Sequence, residues 1–187
     1  MSADVRWAYS RGIPSDRGTV ATVGTFDGVH LGHRSVLEEI NRRADATRRR
    51  SVLVTFDPHP LRIVRPEHAP PMLTTPVEKK EILAESGLDY AVFLSFTEAL
   101  SQYQPRRFVE EVLIGRLGVE ELVIGYDHGF GRDRSGDPDT LKVIGGELGF
   151  TVDVVAPVSV GGGAVSSSRV RAAVRDGYMG EARACLG

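Results

Sequence analysis

The sequence predicts an α/β fold: a parallel sheet flanked by helices, with a small β-hairpin and short helices at its C-terminal end. Three observations carry that prediction. Five short, nearly continuous apolar runs rich in β-branched residues occur at Val20–Val23, Val52–Phe56, Ala91–Phe96, Leu122–Ile124 and Val152–Val155. Unbroken runs of this kind suit parallel strands covered on both faces, rather than strands with one wet side. Between them lie segments whose apolar residues recur at helical spacing, so that strand and helix alternate as in βαβ units. Finally, glycine- or proline-rich segments follow the first, second and fourth runs, at the sheet edge where open α/β folds bind ligands.

Each element has a local reason. Val36, Leu37, Ile40 and Ala44 form one helical stripe, and Ile82 with Leu83 form a shorter one. Phe108, Val112, Leu113 and Leu117 make a third, followed by Leu141, Ile144 and Leu148. Arg48, Arg49 and Arg50 close the first helix, where cations suit the dipole, and are expected as a solvated helix end. Val158–Val165 reads as two short strands about a glycine turn. Ser166 then stands at an N-cap position ahead of Val170 and Val174, which predicts a short helix ended by Asp176 and Gly177. A last helical turn is expected over Gly180–Leu186.

The chain has 187 residues, enough for one well-buried domain or a domain with a small appendage. Its composition, 41% hydrophobic and 26% charged, is that of a globular protein, and its net charge of −2 leaves no footprint for nucleic acid or an anionic membrane. Cys185 is the only cysteine, so no intrachain disulfide supports the fold. Met1–Tyr9 lacks the basic-plus-apolar pattern of a secretory signal, and no apolar run approaches the roughly 20 residues of a membrane helix. A cytoplasmic protein with no membrane partner is the expectation.

The most informative stretch is Gly24-Thr-Phe-Asp-Gly-Val-His-Leu-Gly-His33. It links the first strand to the first helix. Gly24, Gly28 and Gly32 let the backbone approach a ligand, and His30 and His33 lie three residues apart on one face. With the unpaired N–H groups of a helix start, this builds a phosphate cradle with two imidazole donors. No Gly-Lys-Ser/Thr follows, so it is not a Walker loop. It is similar instead to the H-x-G-H signature of nucleotidyltransferases. A metal pair is the bland alternative, but no third ligand lies at suitable spacing.

Three further segments gain weight from their position. Ser167, Ser168 and Arg171 share one helix start, where hydroxyls and a guanidinium can hold phosphate oxygens; alone, they are an ordinary cap beside a solvated arginine. Asp57-Pro58-His59-Pro60 is a stiff loop suited to a flat ligand, or simply a strand terminator. Gly125–Gly136, with Tyr126, Asp127, His128, Phe130, Arg132 and Arg134, is expected as a mobile lid or a plain surface loop.

In this order the segments resemble the FMN adenylyltransferase (FAD synthetase) module of the bacterial bifunctional riboflavin kinase/FAD synthetase family. The resemblance rests on Gly24–His33, Phe56-Asp-Pro-His-Pro60, Leu73-Thr-Thr-Pro-Val-Glu-Lys79, Gly125-x-Asp127 with Phe130-Gly131, and Ser166–Arg171. It implies a Rossmann-like nucleotidyltransferase fold over residues 1–187, with the main core at about 17–157 and the hairpin and helices at 158–187. It implies the reaction FMN + ATP → FAD + pyrophosphate, with Mg²⁺ accompanying ATP and its protein ligands left open. His30, His33 and Arg171 would be catalytic. Gly24, Phe26, Asp27, Gly32, Ser167 and Ser168 would bind ATP, and Pro58, His59, Pro60, Asp127 and His128 would bind FMN. His128 stands where many members have Phe, and Ser168 where Thr is usual. The family continues into a riboflavin kinase module about where Gly187 falls, so kinase activity is not expected of this chain.

The expected chemistry is direct attack of the FMN phosphate on the ATP α-phosphorus, resting on positioning and charge stabilisation. His30 and His33 would neutralise charge on the α-phosphate and the leaving pyrophosphate, and Arg171 with Mg²⁺ would do so further along the chain. Asp27 would orient a histidine or a metal-bound water. Two rivals remain: another H-x-G-H nucleotidyltransferase with a different phosphorylated acceptor, and a non-catalytic flavin- or nucleotide-binding module.

Overall fold

The structure is a computed structural model that describes residues 6–9, 13–14, 16–126, 129–131 and 135–187. Its centre is a six-stranded parallel sheet in the order β1-β4-β3-β2-β5-β6. The strands are β1 (Arg6–Tyr9), β2 (Thr19–Val23), β3 (Arg50–Asp57), β4 (Tyr90–Ser95), β5 (Val119–Gly125) and β6 (Thr151–Val155). All five apolar runs are therefore strands. β1, whose charged and aromatic sequence gave no apolar run, adds an edge beside β4.

Alternate residues of β2, β3, β4 and β5 feed opposite faces. Ala21, Val23, Val52, Val54, Val92 and Leu94 point into one core, with Phe108, Val112, Leu117, Leu141 and Ile144. Val20, Leu53, Ala91, Phe93 and Val123 point into the other, with Val36, Leu37, Ile40 and Leu83. The first core is covered by a helical segment made of α5 (Pro105–Phe108), a π-helical stretch (Val109–Ile114) and α6 (Gly115–Leu117), and by α7 (Pro138–Leu148). The second is covered by α1 (Leu31–Thr47) and α3 (Pro76–Ala84). Between these lie two single-turn helices, α2 (Leu61–Val64) and α4 (Glu98–Ser101).

Two expectations are corrected. The Arg48–Arg50 run is not a solvated helix end. Arg48 is the left-handed C-cap of α1, while Arg50 opens β3, is 3% exposed and donates to the Arg17 carbonyl. Arg49 pairs with Glu120 and Glu121. Nor is every strand covered on both faces: β6 is an edge strand with Thr151, Asp153 and Val154 exposed.

The chain order explains the ligand edge. From β2 the chain lays β3 and β4 to one side, then returns to place β5 and β6 on the other. The direction reverses beside β2, which opens a crevice at the carboxyl ends of the strands. The end of the chain returns to this crevice. The hairpin of β7 (Ser159–Val160) and β8 (Gly163–Ala164) leads into α8 (Ser167–Arg175) and α9 (Met179–Leu186), close to the expected bounds. Val165, Val170 and Cys185 bury a small core of their own there.

Candidate active site

The loop leaving β2 is anchored at its start, where the Gly24 N–H donates to the Val54 carbonyl at 3.0 Å. It then turns through left-handed backbone at Phe26 (φ 48°), Gly28 (φ 82°) and Val29 (φ 38°). For Phe and Val this conformation is strained, and strain of this kind persists only where the surroundings hold it. Such turns gather successive N–H groups into an anion-binding concavity. A side chain at Gly28 would also meet Leu73, 2.7 Å from its Cβ position.

His30 is the N-cap of α1, and its Nδ1 accepts from the His33 N–H at 3.3 Å. A neutral imidazole that accepts through Nδ1 carries its hydrogen on Nε2 and donates from there. The two imidazoles are stacked with centroids 3.7 Å apart, and the Phe26 ring covers the outer face of His33 at 4.4 Å. Gly32 permits this arrangement, since a Cβ there would lie 3.2 Å from the His30 ring. Nδ1 of His33 is buried without a partner, so a ligand would meet this ring through Nε2. Among the described residues, no protein acceptor bonds the Leu31 or Gly32 N–H groups at the helix start.

Burial makes both rings neutral. It pushes His30 down to about 4, with Arg171 adding to the effect and Asp27 opposing it. It holds His33 well below the usual histidine range, helped by His30 and Lys79. The two imidazoles offer N–H donors rather than cations.

Asp27 joins the two walls. Its carboxylate accepts from the Leu73 N–H (3.0 Å), the Thr74 N–H (3.1 Å) and Thr74 Oγ1 (3.3 Å). It also accepts from Arg171 Nη2 at 2.6 Å, and Ser167 Oγ donates to its backbone carbonyl at 2.9 Å. The expected role of Asp27, orienting a histidine or a metal-bound water, is corrected: its oxygens serve loop 73–74 and Arg171. Arg171 Nε donates to the Pro71 carbonyl, which leaves Nη1 without a hydrogen-bond partner among the described residues. Two segments 140 residues apart thus meet, as the shared-site expectation requires. Ser168 is different, being exposed on the first turn of α8.

Beside this meeting point lies a cleft of about 220 Å³. Phe56, Met72 and Phe93 supply apolar wall, and Asp57, Pro58, His59, Arg62, Thr74, Thr75 and Lys79 supply the rest with Thr25, Asp27 and Pro76. Pro58 and His59 line it as expected. Pro60 instead heads α2, its carbonyl accepting from the Ile63 and Val64 N–H groups. Asp127 and His128, with Arg132 and Arg134, lie outside the described residues.

Lys79, Arg62, Phe56, Met72 and Phe93 line the cleft although the sequence reading gave them no role; Phe56 and Lys79 entered it as members of the segments that carry the resemblance. For Lys79 a signal existed: it shares the buried face of α3 with Leu83, four residues on.

The sequence profile of FAD synthetases matches residues 13–169. The chain belongs to the FAD synthetase family. It is 38% identical over 161 residues to a bifunctional riboflavin kinase/FMN adenylyltransferase of Pseudomonas fluorescens, covering 86% of this chain and 51% of that protein. The corresponding protein of Escherichia coli K12 is 32% identical over 183 residues, covering 98% of this chain and 58% of the relative. The chain spans about half the length of these curated relatives. A crystal structure described as a macrolide-efflux protein from Streptococcus pneumoniae superposes with a TM-score of 0.84 at 25% identity, over 98% of this chain and 62% of that one. TmcAL of Thermotoga maritima, bound with α-thio ATP, shares the fold at a TM-score of 0.58 and 14% identity, over 91% of this chain and 53% of its own. The Rossmann-like α/β architecture of this FAD synthetase family member is thus shared beyond its sequence relatives. Among its described residues, no helix is long and apolar enough to cross a membrane.

Proposed function

We propose that this protein transfers the adenylyl group of ATP to FMN, giving FAD and pyrophosphate. The observation that carries the reading is the junction at Asp27. There the stacked imidazoles of one segment and the Ser167/Arg171 helix start of another adjoin a cleft with an apolar wall and a basic floor.

In this reading the triphosphate lies along the loop after β2 and the start of α1. The Leu31 and Gly32 N–H groups, the imidazole Nε2 donors and Arg171 Nη1 receive its oxygens. FMN lies in the cleft, its ring system against Phe56, Met72 and Phe93 and its phosphate toward the histidines. An FMN phosphate oxygen forms the new bond to the α-phosphorus, and the α–β bridging bond breaks, its electron pair leaving with pyrophosphate. The phosphate nucleophile is already ionised near neutrality, so no general base is needed. Catalysis falls to positioning and to donors aimed at the developing charge.

Mg²⁺ fits as an ion carried in by the triphosphate, where it would neutralise phosphate charge. Among the described residues no three His, Cys, Asp or Glu side chains stand together as a resident site. Mg²⁺ commonly uses one or two carboxylates plus substrate phosphates. Asp27 is already engaged, and Asp57 is the cleft carboxylate left to hold the ion. A chain with a single, buried, free cysteine suits the cytoplasm, where both substrates would be met.

The test is direct: incubate the purified chain with FMN, ATP and Mg²⁺, then follow FAD by chromatography and pyrophosphate by a coupled assay. FAD in step with pyrophosphate is expected. Pyrophosphate release only with other phosphorylated acceptors would assign a different nucleotidyltransferase, and binding of both substrates without FAD would assign a non-catalytic module.

A further inference from the structure

Lys79 is a lysine in an unusual place. It is 8% exposed, on the buried face of α3, and it lines the cleft floor. Its Nζ donates to Thr55 Oγ1 at 2.6 Å and to the Thr25 carbonyl. Thr55 Oγ1 in turn donates to that same carbonyl at 3.0 Å, so two of the three ammonium protons tie the β2 loop to β3. Both acceptors are neutral. Among the described residues no carboxylate lies within ion-pairing distance of Nζ. Asp27 is committed to Arg171, and Asp57 acts on Lys79 only from farther away.

A buried ammonium whose partners are two neutral oxygens and an aromatic face keeps its charge at an energetic disadvantage unless an anion joins it. Burial shifts Lys79 down to about 8, with Asp27 and Asp57 opposing the shift. Among the described residues the third proton has no protein oxygen or nitrogen to bond, only the face of the Phe93 ring 5.5 Å from Nζ, and both Phe93 and Lys79 line the open space of the cleft. Lys79 is also near enough to His33 and His59 to lower both pKa values electrostatically.

We propose that the third proton of the Lys79 ammonium binds the phosphate of the flavin acceptor and holds it beside the histidines. This rests on the reading of the cleft as the FMN site and deepens it. In the adenylyl transfer two anions must come together, and a fixed cation beneath their meeting point offsets their repulsion. Because the phosphate is what Lys79 would recognise, it discriminates FMN from riboflavin, which has the same ring system and no phosphate.

The test uses Lys79→Met and Lys79→Gln in the full chain. Gln retains an N–H donor for the floor but lacks the charge. Flavin fluorescence quenching reads FMN and riboflavin affinity, and a separate titration reads ATP. Removing a charge-assisted bond predicts FMN binding about 10- to 100-fold weaker, with riboflavin and ATP within about threefold of wild type. The wild-type preference for FMN over riboflavin should also decline as pH rises through and above the Lys79 range, and should be flat with pH in Lys79→Gln. The other charged or titratable groups around the site are Asp27 and Asp57 on the strand-end loops, His33 on α1, His59 and Arg62 beside the cleft, Arg171 on α8, and Lys80, which shares the Phe93 ring. Equal loss of FMN and riboflavin in both variants would make Lys79 a structural pillar and overturn the proposal. So would unchanged FMN affinity, or a loss confined to ATP. A wild-type chain that forms no FAD would fail the functional reading instead, a result the variants cannot produce.

Discussion

Replacing Asp27 by Asn tests whether one carboxylate holds the two halves of the site together. The substitution keeps shape and one carbonyl oxygen. Leu73 N–H and Thr74 N–H both reach Oδ1, at 3.0 and 3.1 Å, so a single oxygen can still serve that loop. What disappears are the Oδ2 contacts, with Arg171 at 2.6 Å and a second reach from the Leu73 N–H at 3.1 Å, replaced by an amide NH₂ facing a guanidinium. The pair is largely out of water, with the Asp27 side chain 5% and the Arg171 side chain 16% exposed. Removing one partner of a buried pair costs about 3–5 kcal/mol, and the residual exposure of Arg171 favours the lower end. For a chain of this size, about 3 kcal/mol lowers Tm by about 6–12 °C. Urea unfolding of D27N, of Arg171→Met and of the double variant gives the coupling between the two sites. We expect it to exceed about 1.5 kcal/mol, because each single variant strands a group the double variant does not. A D27N stability within about 1 kcal/mol of wild type, or additive single effects, would refute the linkage.

His33→Ala should lower the rate of FAD formation by about 10²–10³-fold while circular dichroism reports an intact fold; near-normal turnover would remove His33 from the chemistry. His30→Ala should lose the cap on the His33 N–H, at about 1 kcal/mol in urea unfolding, whereas His30→Asn should restore the cap without restoring turnover. Stability should fall with acid. The folded state holds His30 at about 4 against 6.5 in a free chain, so the unfolded state takes up the proton first. The stabilisation is complete above the free value and is lost as pH falls through that interval, by at most about 1.4 kcal/mol per unit. Urea midpoints measured across this range should show a shallower slope in His30→Asn, and an unchanged slope would contradict the buried neutral imidazole.

The strands and their order of appearance were legible because a buried parallel strand needs an uninterrupted apolar run, and five such runs stand out. β1 was not, since Arg6-Trp-Ala-Tyr9 pairs through its backbone with β4 and its sequence carries no comparable run. The candidate site was legible where particular residue types recur at fixed spacing, as in His30 and His33 or Ser167 and Arg171, which the fold brings together around Asp27. It was not legible where a residue acts through a distant neighbour. Asp27 reads as one more loop acid, and only the tertiary structure brings Leu73, Thr74 and Arg171 to its oxygens. Lys79 sits next to Lys80 in a helix that opens with a capping box; its spacing from Leu83 hints at the buried face, but the packing of α3 is what shows its side chain enclosed at the cleft. The charge state of the histidines is likewise a property of burial rather than of spacing.

The late arrival of α8 at the crevice has a consequence for biogenesis. Every strand of the main sheet precedes Pro157 in the chain, whereas Ser167 and Arg171 are made only afterwards. A nascent polypeptide could complete its sheet and bury both large cores while Ser167 and Arg171, half of the proposed nucleotide site, were still inside the ribosome. The proposed triphosphate contacts of Ser167 and Arg171 would then form only once α8 has docked at the crevice.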